Sequence, residues 1–530
     1  MPDTPSEWGF ASIKMSAIPG LDGIGNSLLE LVCPHDWQEG TRMRSHFPFA
    51  GKPGDFSLHV PRPLLALLAV FCAAVVLSGC GGSSSQTVQP GATTVVVMAS
   101  STANDALVAL PLTLQSLTLK SQSGNTVTVF STPIGAEYIH LNGNPQPLVT
   151  TSIPQDTYVS AFAVLGGASP MCVGLHLVNA ALISGSTPVV TVNLPQPIQV
   201  TGTAMAIDLD LDVSQSFQFA GGCTLGVSAP LNPTFTLTTM DIAAQPTNST
   251  NGRAVGMYGV VTAVNAANGT FTANGLGQPA GPGAVWQASI NGSTVFSGVN
   301  NLSGLSAGLP VDMDISLQPD GSLLATRVAV IDTNTANVDI LNGEVLYQGD
   351  RPSSLLALSN LAAGAVSENF ASVGYAQAAS QISSQFPNVK NLPFPAVFQA
   401  ASATLGQNLL VAANISFAAE FSTNSFPATT VELVPQTING TVTAVSASGG
   451  FTVYTVTLAP YDLFPILAAA YAGQSGVPIA PNTVQVYADS STAVLTPVNT
   501  GSVFRFYGLV FNDNGTLRMD CAQIAAGVAE

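Results

Sequence analysis

Charge is what this sequence has least of. Asp, Glu, Lys and Arg together make up 8% of its 530 residues, against roughly a quarter in an average soluble domain. Basic residues are rarer still. Beyond Cys80 there are Lys120, Arg253, Arg327, Arg351, Lys390, Arg505 and Arg518, against 22 Asp and Glu, a net charge of −15 over that stretch. Such a surface repels phosphate backbones and offers no basic patch to anionic lipid headgroups, which argues against nucleic acid and against electrostatic adsorption to a membrane. Histidine is nearly missing too: beyond Cys80 there are His140 and His176, each alone in a strand-like pattern, AEYIHLN and GLHLVN. Each reads as an ordinary sheet residue. No CxxC pair and no Cys/His zinc spacing occurs.

The gap left by charge is filled with Thr, Val, Ser, Asn and Gly, and 46% of the chain is hydrophobic. That excludes wholesale disorder, which goes with low hydrophobicity and high net charge. It favours strands and turns over helices. The length allows about three or four domains. Sparse carboxylates are little hindrance in acid, which suits an exported protein that meets low pH.

Long apolar runs are also scarce. The longest, Leu64 to Leu77, sits in PRPLLALLAVFCAAVVLSGCGGSSS after the basic Arg62. It falls short of the roughly 20 residues that span a bilayer and fits the apolar region of a signal peptide. The ending Leu77-Ser78-Gly79-Cys80 resembles a lipobox, the recognition sequence of the bacterial lipoprotein signal peptidase. The resemblance implies cleavage before Cys80, a diacylglyceryl group on its thiol and acylation of the new amino terminus. Two or more acyl chains, palmitate among them, anchor stably where one is marginal. Gly81, where an aspartate would retain the protein at the inner membrane, points to the outer membrane. The following GGSSSQTVQPGATT is a flexible tether. Residues 1–59 fit no signal peptide, being polar, irregular and dotted with Trp8, Cys33 and Trp37. They read as a start assigned too far upstream, with Met43 or Val60 as the true one.

With the signal removed and Cys80 lipidated, three cysteines remain. Cys172 and Cys223 fall in one expected domain, and in an oxidising compartment they are expected to form a disulfide. Closing that loop contributes roughly 3–4 kcal/mol on chain-entropy grounds. Cys521, in the strand-like LRMDCAQI, reads as a buried free thiol.

The mature chain reads as all-β: one β-sandwich followed by three tandem small β-barrel modules. Residues 1–59 are the extension, 60–79 the signal peptide and 80–92 the tether. Residues 93–245 alternate as sandwich strands: TTVVVMAS, LPLTLQSLTLKS, NTVTVFS, AEYIHLN, TYVSAFAVL, PVVTVNL, QVTGTAMAIDLDLDV and TFTLTTMDI, separated by Gly, Pro, Asn and Ser clusters. The succession LTLQSLTLKSQSGNTVTVF, IPQDTYVSAFAVL, AIDLDLDVSQSF resembles a bacterial exported sandwich family of unknown function. The remainder repeats at 255–333, 338–435 and 436–530. The three copies open on MYGVVTAVNAANGTFTANG, ILNGEVLYQGDRPSSLLALSN and TINGTVTAVSASGGFTVYTVTL. The first and third close on GLPVDMDISLQPDGSLLATRVAVID and GSVFRFYGLVFNDNGTLRMDCAQIAAG, each with a Gly-turned hairpin. The middle copy closes on QNLLVAANISFAAEF and PATTVELVP, and its insertion AAGAVSENFASVGYAQAASQISSQF is expected to hold a short helix. These glycine-started strand pairs resemble a second family of unknown function, found as tandem small barrels in bacterial exported proteins.

Candidate chemistry is thin. Gly304-Leu305-Ser306-Ala307-Gly308 matches G-x-S-x-G, but a nucleophile elbow needs a strand before and a helix after, and here the strand VDMDISL follows. Serine hydrolysis is therefore a remote alternative. Asp208, Asp210 and Asp212 alternate with leucine and share one face of a strand. Crowded carboxylates can bind calcium, but a straight strand does not wrap an ion, so the expectation is leucines inward and aspartates in water. Asp312 and Asp314 repeat this more weakly. Tyr454, Tyr461, Phe464, Tyr471, Tyr487, Phe504, Phe506, Tyr507 and Phe511 gather in the last copy, either filling its core or forming a sugar-stacking face. The reading is an exported lipoprotein with a structural, adhesive or ligand-binding role, no catalytic site and no cofactor. Its expected partners are the membrane, through Cys80, and a polysaccharide or cell-envelope protein. Carbohydrate binding by the last barrel is the alternative.

Overall fold

The computed structural model describes residues 91–530 apart from segments 103–106, 140, 143, 169–170, 173–175, 178–180, 183–188, 217–229, 243–251, 277–281, 334–338, 349–350, 362–369, 375–377, 414–425, 461, 471–481 and 528–530. The extension, the signal peptide, Cys80 and most of the tether therefore lie outside the described residues. The first strand begins at Ala92. The chain is all-β. Among the described residues no helix is long and apolar enough to cross a membrane.

The sandwich has two sheets. One runs in the order Thr234–Met240, Ala204–Asp212, Ala92–Ser101, Gln146–Pro154, with Ala92–Ser101 parallel to Ala204–Asp212 and the other pairs antiparallel. The other is built on Val189–Val192, Asp156–Ala168, Pro111–Ser121 and Thr126–Phe130, with Ile198–Val200 and Ile134–Glu137 on its margins. Pro111–Ser121 and Asp156–Ala168 alternate because one face of each is packed. Ala92–Ser101 does not: Val95, Val96, Val97 and Met98 are all buried, as expected of a central strand covered on both faces.

Two small sheets accompany the sandwich: Ala181–Leu182 pairs with Pro230–Leu231, and Met171–Cys172 pairs with Leu107–Ala109 and His176–Leu177. The three sheets that follow share one connectivity. In the first barrel the five main strands are Arg253–Asn265, Thr270–Gly275, Val285–Ser289, Pro310–Leu317 and Leu323–Val330. The first pairs antiparallel with the second and the fourth, the second with the third, and the fourth with the fifth. The third lies parallel to the fifth, which closes the circuit 1-2-3-5-4-1. A short strand, Val295–Ser297, extends the third along the fifth. The second barrel repeats this with Asp339–Gln348, Arg351–Leu361, Phe370–Gly374, Asn408–Ala413 and Phe426–Leu433. The third repeats it with Gln436–Ser448, Phe451–Leu458, Thr483–Ala488, Val503–Asp513 and Thr516–Ala526. A closed five-stranded Greek-key barrel of this kind has the architecture of the OB-fold.

The repeat extends to single hydrogen bonds. Val261, Val345 and Val442 each stand two residues after the glycine that marks the opening strand (Gly259, Gly343, Gly440). Each exchanges backbone hydrogen bonds with the start of the fourth strand: Gly308 N–H donates to Val261 O, Gly406 N–H to Val345 O and Gly501 N–H to Val442 O. The return bonds run from Val261 N–H to Leu309 O, Val345 N–H to Gln407 O and Val442 N–H to Ser502 O. Gly308, Gly406 and Gly501 have φ of 93°, 83° and 83°, a region other residues enter at a cost. One residue further on, the first and third barrels carry the same bulge, and the extra residues Thr262 and Thr443 donate to Thr272 O and Thr455 O.

Two local expectations change. In its described part the insertion of the middle copy, expected to hold a short helix, supplies the strands Phe370–Gly374 and Ala379–Ile382, the first of which closes the barrel as its third strand; the rest of that expectation falls on 362–369 and 375–377, outside the described residues. The third barrel has an unexpected helix, Leu463–Ala470, between its second and third strands. Asp462 accepts hydrogen bonds from Phe464 N–H and Asn439 N–H, capping the helix and tying it to the barrel's first strand. Pro465 stands in its first turn, where proline is tolerated.

The four domains meet in a closed cycle. The sandwich and first barrel share one hydrophobic core, pinned by Trp286, whose Nε1 donates to Pro147 O at 2.7 Å. Gly275 makes room for the indole: a Cβ there would stand 2.7 Å from Trp286 Cη2. The first and second barrels share Tyr258, Leu276, Ile331, Leu410, Ala412 and Val434. The second grips the third through Phe394, set against Tyr487 and Phe511, and through Gln407 Nε2, which donates to Val510 O. The third returns to the sandwich: Thr437 Oγ1 donates to Asn142 O and Arg505 Nη1 to Asn142 Oδ1, both at 2.7 Å. Trp286→Ala removes a buried indole (5% exposed) and its hydrogen bond. We expect a loss of about 3–5 kcal/mol in chemical denaturation; a loss below about 1 kcal/mol would mean that the two domains do not depend on this contact.

Candidate functional site at the four-domain junction

Asp208, Asp210 and Asp212 lie on Ala204–Asp212 with Leu209 and Leu211 fully buried between them. The leucines are inward as expected, but Asp208 and Asp210 are half-buried rather than free in water. Ser100 on the neighbouring parallel strand is bonded to both, 2.8 Å from Asp208 Oδ2 and 2.8 Å from Asp210 Oδ1. Asp208 Oδ1 and the nearby Tyr138 hydroxyl are enclosed without a hydrogen-bond partner. Burial lifts Asp208 to about 7, against the pull of Ser100. It raises Asp210 as well, opposed by Ser100 and by the Arg505 charge from the third barrel. Among the described residues no group of three or more His, Cys, Asp or Glu is arranged to hold a metal ion.

The correction is larger for Asp312 and Asp314. Asp312, expected in water, is 0% exposed. Arg327, on the adjacent fifth strand and 7% exposed, bonds Asp312 Oδ1 through Nη2 at 2.7 Å and Asp314 Oδ2 through Nε at 2.8 Å. The second barrel completes the cluster: Ser383 Oγ donates to Asp312 Oδ2, Arg327 Nη1 to Ser384 Oγ, and the buried Glu432 lies within reach of both charges. One cation thus faces three carboxylates. Burial raises Asp312 against the attraction of Arg327, and burial with the Asp312 charge lifts Glu432 to about 8.

Beside this cluster a cleft of about 280 Å³ opens between all four domains. The sandwich contributes Asn144, the first barrel Arg253 and Asp314, the second Gln385 and Phe386, and the third Asp489, Tyr507 and Asp520. Asn144 Nδ2 crosses to Val255 O at 3.0 Å and to the Tyr507 hydroxyl at 3.5 Å. Gly256, with φ of 60°, leaves a hollow here: a Cβ would stand 3.0 Å from the Tyr507 hydroxyl, 3.3 Å from that of Tyr258 and 3.6 Å from Gln385 Oε1. The Tyr258 hydroxyl and Gln385 Oε1 have no hydrogen-bond partner. Burial, and then the charge of Asp312, holds both tyrosines well above their usual range, so both are donors. Burial and the charge of Asp489 lift Asp520 to about 7.

The other sequence candidates are scattered. Ser306 is exposed, between a 3₁₀ turn, Leu302–Gly304, and the strand Pro310–Leu317. The last glycine of its motif, Gly308, is one of the three barrel-closing glycines. Cys172 ends the short strand Met171–Cys172, in register with His176, but Cys223 lies outside the described residues and the proposed disulfide with it, as does His140. Cys521 is a buried free thiol whose Sγ donates to Gln523 O, and burial pushes the thiol up and away from reactivity. Of the last barrel's aromatics, Tyr461 and Tyr471 lie outside the described residues, Tyr454 is half-buried, and Phe464, Tyr487, Phe504, Phe506, Tyr507 and Phe511 are buried. Their rings fill the barrel core or meet Phe394 and the cleft. They form no open stacking face among the described residues.

Sequence reasoning missed the Arg327 cluster and the cleft. A signal for the first was present: Arg327 is a lone cation inside the apolar ATRVAV, and an arginine there is rarely buried without partners. Comparison with protein-family models and with curated proteins finds no match.

Proposed function

We propose that this chain is an exported bacterial lipoprotein, held at a membrane through lipid on Cys80, whose folded part does a structural or binding task rather than catalysis. The observation that carries the reading is the Leu-Ser-Gly-Cys80 sequence behind its apolar run, followed by a Gly/Ser tether that ends where the first strand begins at Ala92. A tether of that composition lets a lipid-anchored body stand off the bilayer.

The folded part supports a non-catalytic task. Its four domains interlock through shared cores and a buried ion cluster, as a load-bearing or ligand-presenting body requires. Ser306 stands exposed in the first barrel with no described histidine in that barrel to act as its base. The OB architecture often binds oligonucleotides or oligosaccharides, but fold alone carries no function. The acidic surface opposes the oligonucleotide use.

Fractionation of cells that express the wild type and Cys80→Ser tests the anchor. The wild type is expected in the membrane fraction, resisting extraction by salt, and the variant is expected to leave it. Equal release of the two by salt would contradict a lipid anchor.

A further inference from the structure

We propose that the four-domain cleft is a binding site for a small ligand bearing a protonated primary amine, with Asp520 and Asp489 facing the ammonium group and Gln385 accepting a further hydrogen bond from the ligand. The inference goes beyond the anchored scaffold and stands or falls independently of it.

Pockets at domain interfaces with a few convergent polar groups are the usual form of a small-molecule site. At about 280 Å³ this one suits a ligand of monosaccharide size. Its unmet demand is for donors. The Asp520 carboxylate lines the cleft and accepts no hydrogen bond from any described residue. Asp489 also lines it, with one oxygen engaged by Ser491 N–H and Oγ. Gln385 Oε1 is enclosed and unpartnered, which leaves an amide acceptor with the full cost of its desolvation. Asp314, by contrast, has both oxygens engaged, by Arg327 and by Gly256 N–H. Asn291, the counterpart of Asp489 in the first barrel, accepts from Ser293 N–H and Oγ in the same way. The turn therefore works with a neutral side chain, and the charge at Asp489 is extra to it. Arg253 also lines the cleft and already has a contact of its own. The two carboxylates outnumber it, and with the bare carbonyl oxygen they ask for a cationic donor, whereas a neutral polyol meets the hydrogen bonds but not the charge.

The test is calorimetric titration of the full chain with glucosamine and 1,4-diaminobutane, each against its uncharged counterpart, N-acetylglucosamine and 1,4-butanediol. At least one amine is expected to bind and its counterpart to fail, and which amine does so separates a sugar from a polyamine. Asp520→Asn is expected to weaken that binding roughly tenfold, the effect of one charge-assisted hydrogen bond, without lowering the melting temperature. Gln385→Leu serves as the second variant and is also expected to weaken it. No binding by either amine, equal binding by the neutral counterparts, or full affinity in both variants would overturn the assignment.

Discussion

Replacing Arg327 by methionine is expected to destabilise the folded chain by about 3–5 kcal/mol, the usual effect of leaving a buried charge without its partner. The size follows from what is left behind. Asp312 is fully buried, Asp314 and Glu432 are close, and Arg327 is the cation that the three share. A buried pair is weak evidence of net stability over an apolar replacement of both partners, but removal of one partner alone is costly. The remaining carboxylates would have to be protonated, so the defect should be largest at about pH 8 and smaller at about pH 5. Glu432→Gln is the counterpart. Its carboxyl is held up near 8 by burial and by Asp312, so a neutral amide should be tolerated at about pH 8 or even raise stability. Both variants can be read by chemical denaturation. An Arg327→Met variant within about 1 kcal/mol of the wild type at about pH 8 would show that the cluster is not a keystone of the junction.

The second large effect is that of acid, and its sign is unusual. Asp208, Asp462 and Asp520 stand near 7 and Glu432 near 8, each raised first by burial. In the unfolded chain such groups titrate near 4. Between about pH 4 and the folded values, the native state holds protons that the unfolded state has lost, so stability falls as pH rises through that window. Each group contributes at most about 1.4 kcal/mol per pH unit, and relaxation around the buried carboxylates reduces this. Asp156 and Asp320 act in the opposite direction. Their pKa values are lowered, by the Thr157 backbone hydrogen bond and by Ser322 respectively, and their contribution is lost only below about pH 4. We therefore expect a melting temperature on the order of 5 °C higher at about pH 5 than at about pH 8. A melting temperature that fell on going from neutral to mildly acidic buffer would contradict this picture of the buried carboxylates.

Much of the fold was legible because period-two alternation and turn residues are local. Seven of the eight sandwich segments fall on strands, whereas in AEYIHLN the strand ends at Glu137 and Tyr138 and Ile139 turn. The repeated glycines Gly259, Gly343 and Gly440 marked equivalent positions in the opening strands of the three barrels. The strand Gln146–Pro154 escaped because prolines bracket it and its threonines blur the alternation. The helix Leu463–Ala470 escaped because a short, wholly apolar LFPILAAA has no face to show a helical period. Barrel closure was out of reach in detail, since the parallel pairing of third and fifth strands joins segments that share no local pattern.

The candidate site was the least legible part, for a related reason. Periodicity assigns a residue to a face of a strand but says nothing of what covers that face. Asp208, Asp210, Asp312 and Asp314 were rightly placed opposite apolar neighbours, yet other domains cover them: the third barrel with Arg505 in one case, the second barrel with Ser383 and Glu432 in the other. Gln385 and Asp520 are some 130 residues apart and become neighbours of one cleft through domain packing alone.

The central claim concerns Cys80, and labelling tests it most directly. Cells fed radioactive palmitate should yield a labelled protein whose mature chain begins at residue 80, and Cys80→Ser should carry no label and keep its uncut signal peptide. Label that persists in Cys80→Ser, or a mature amino terminus elsewhere than Cys80, would contradict the account.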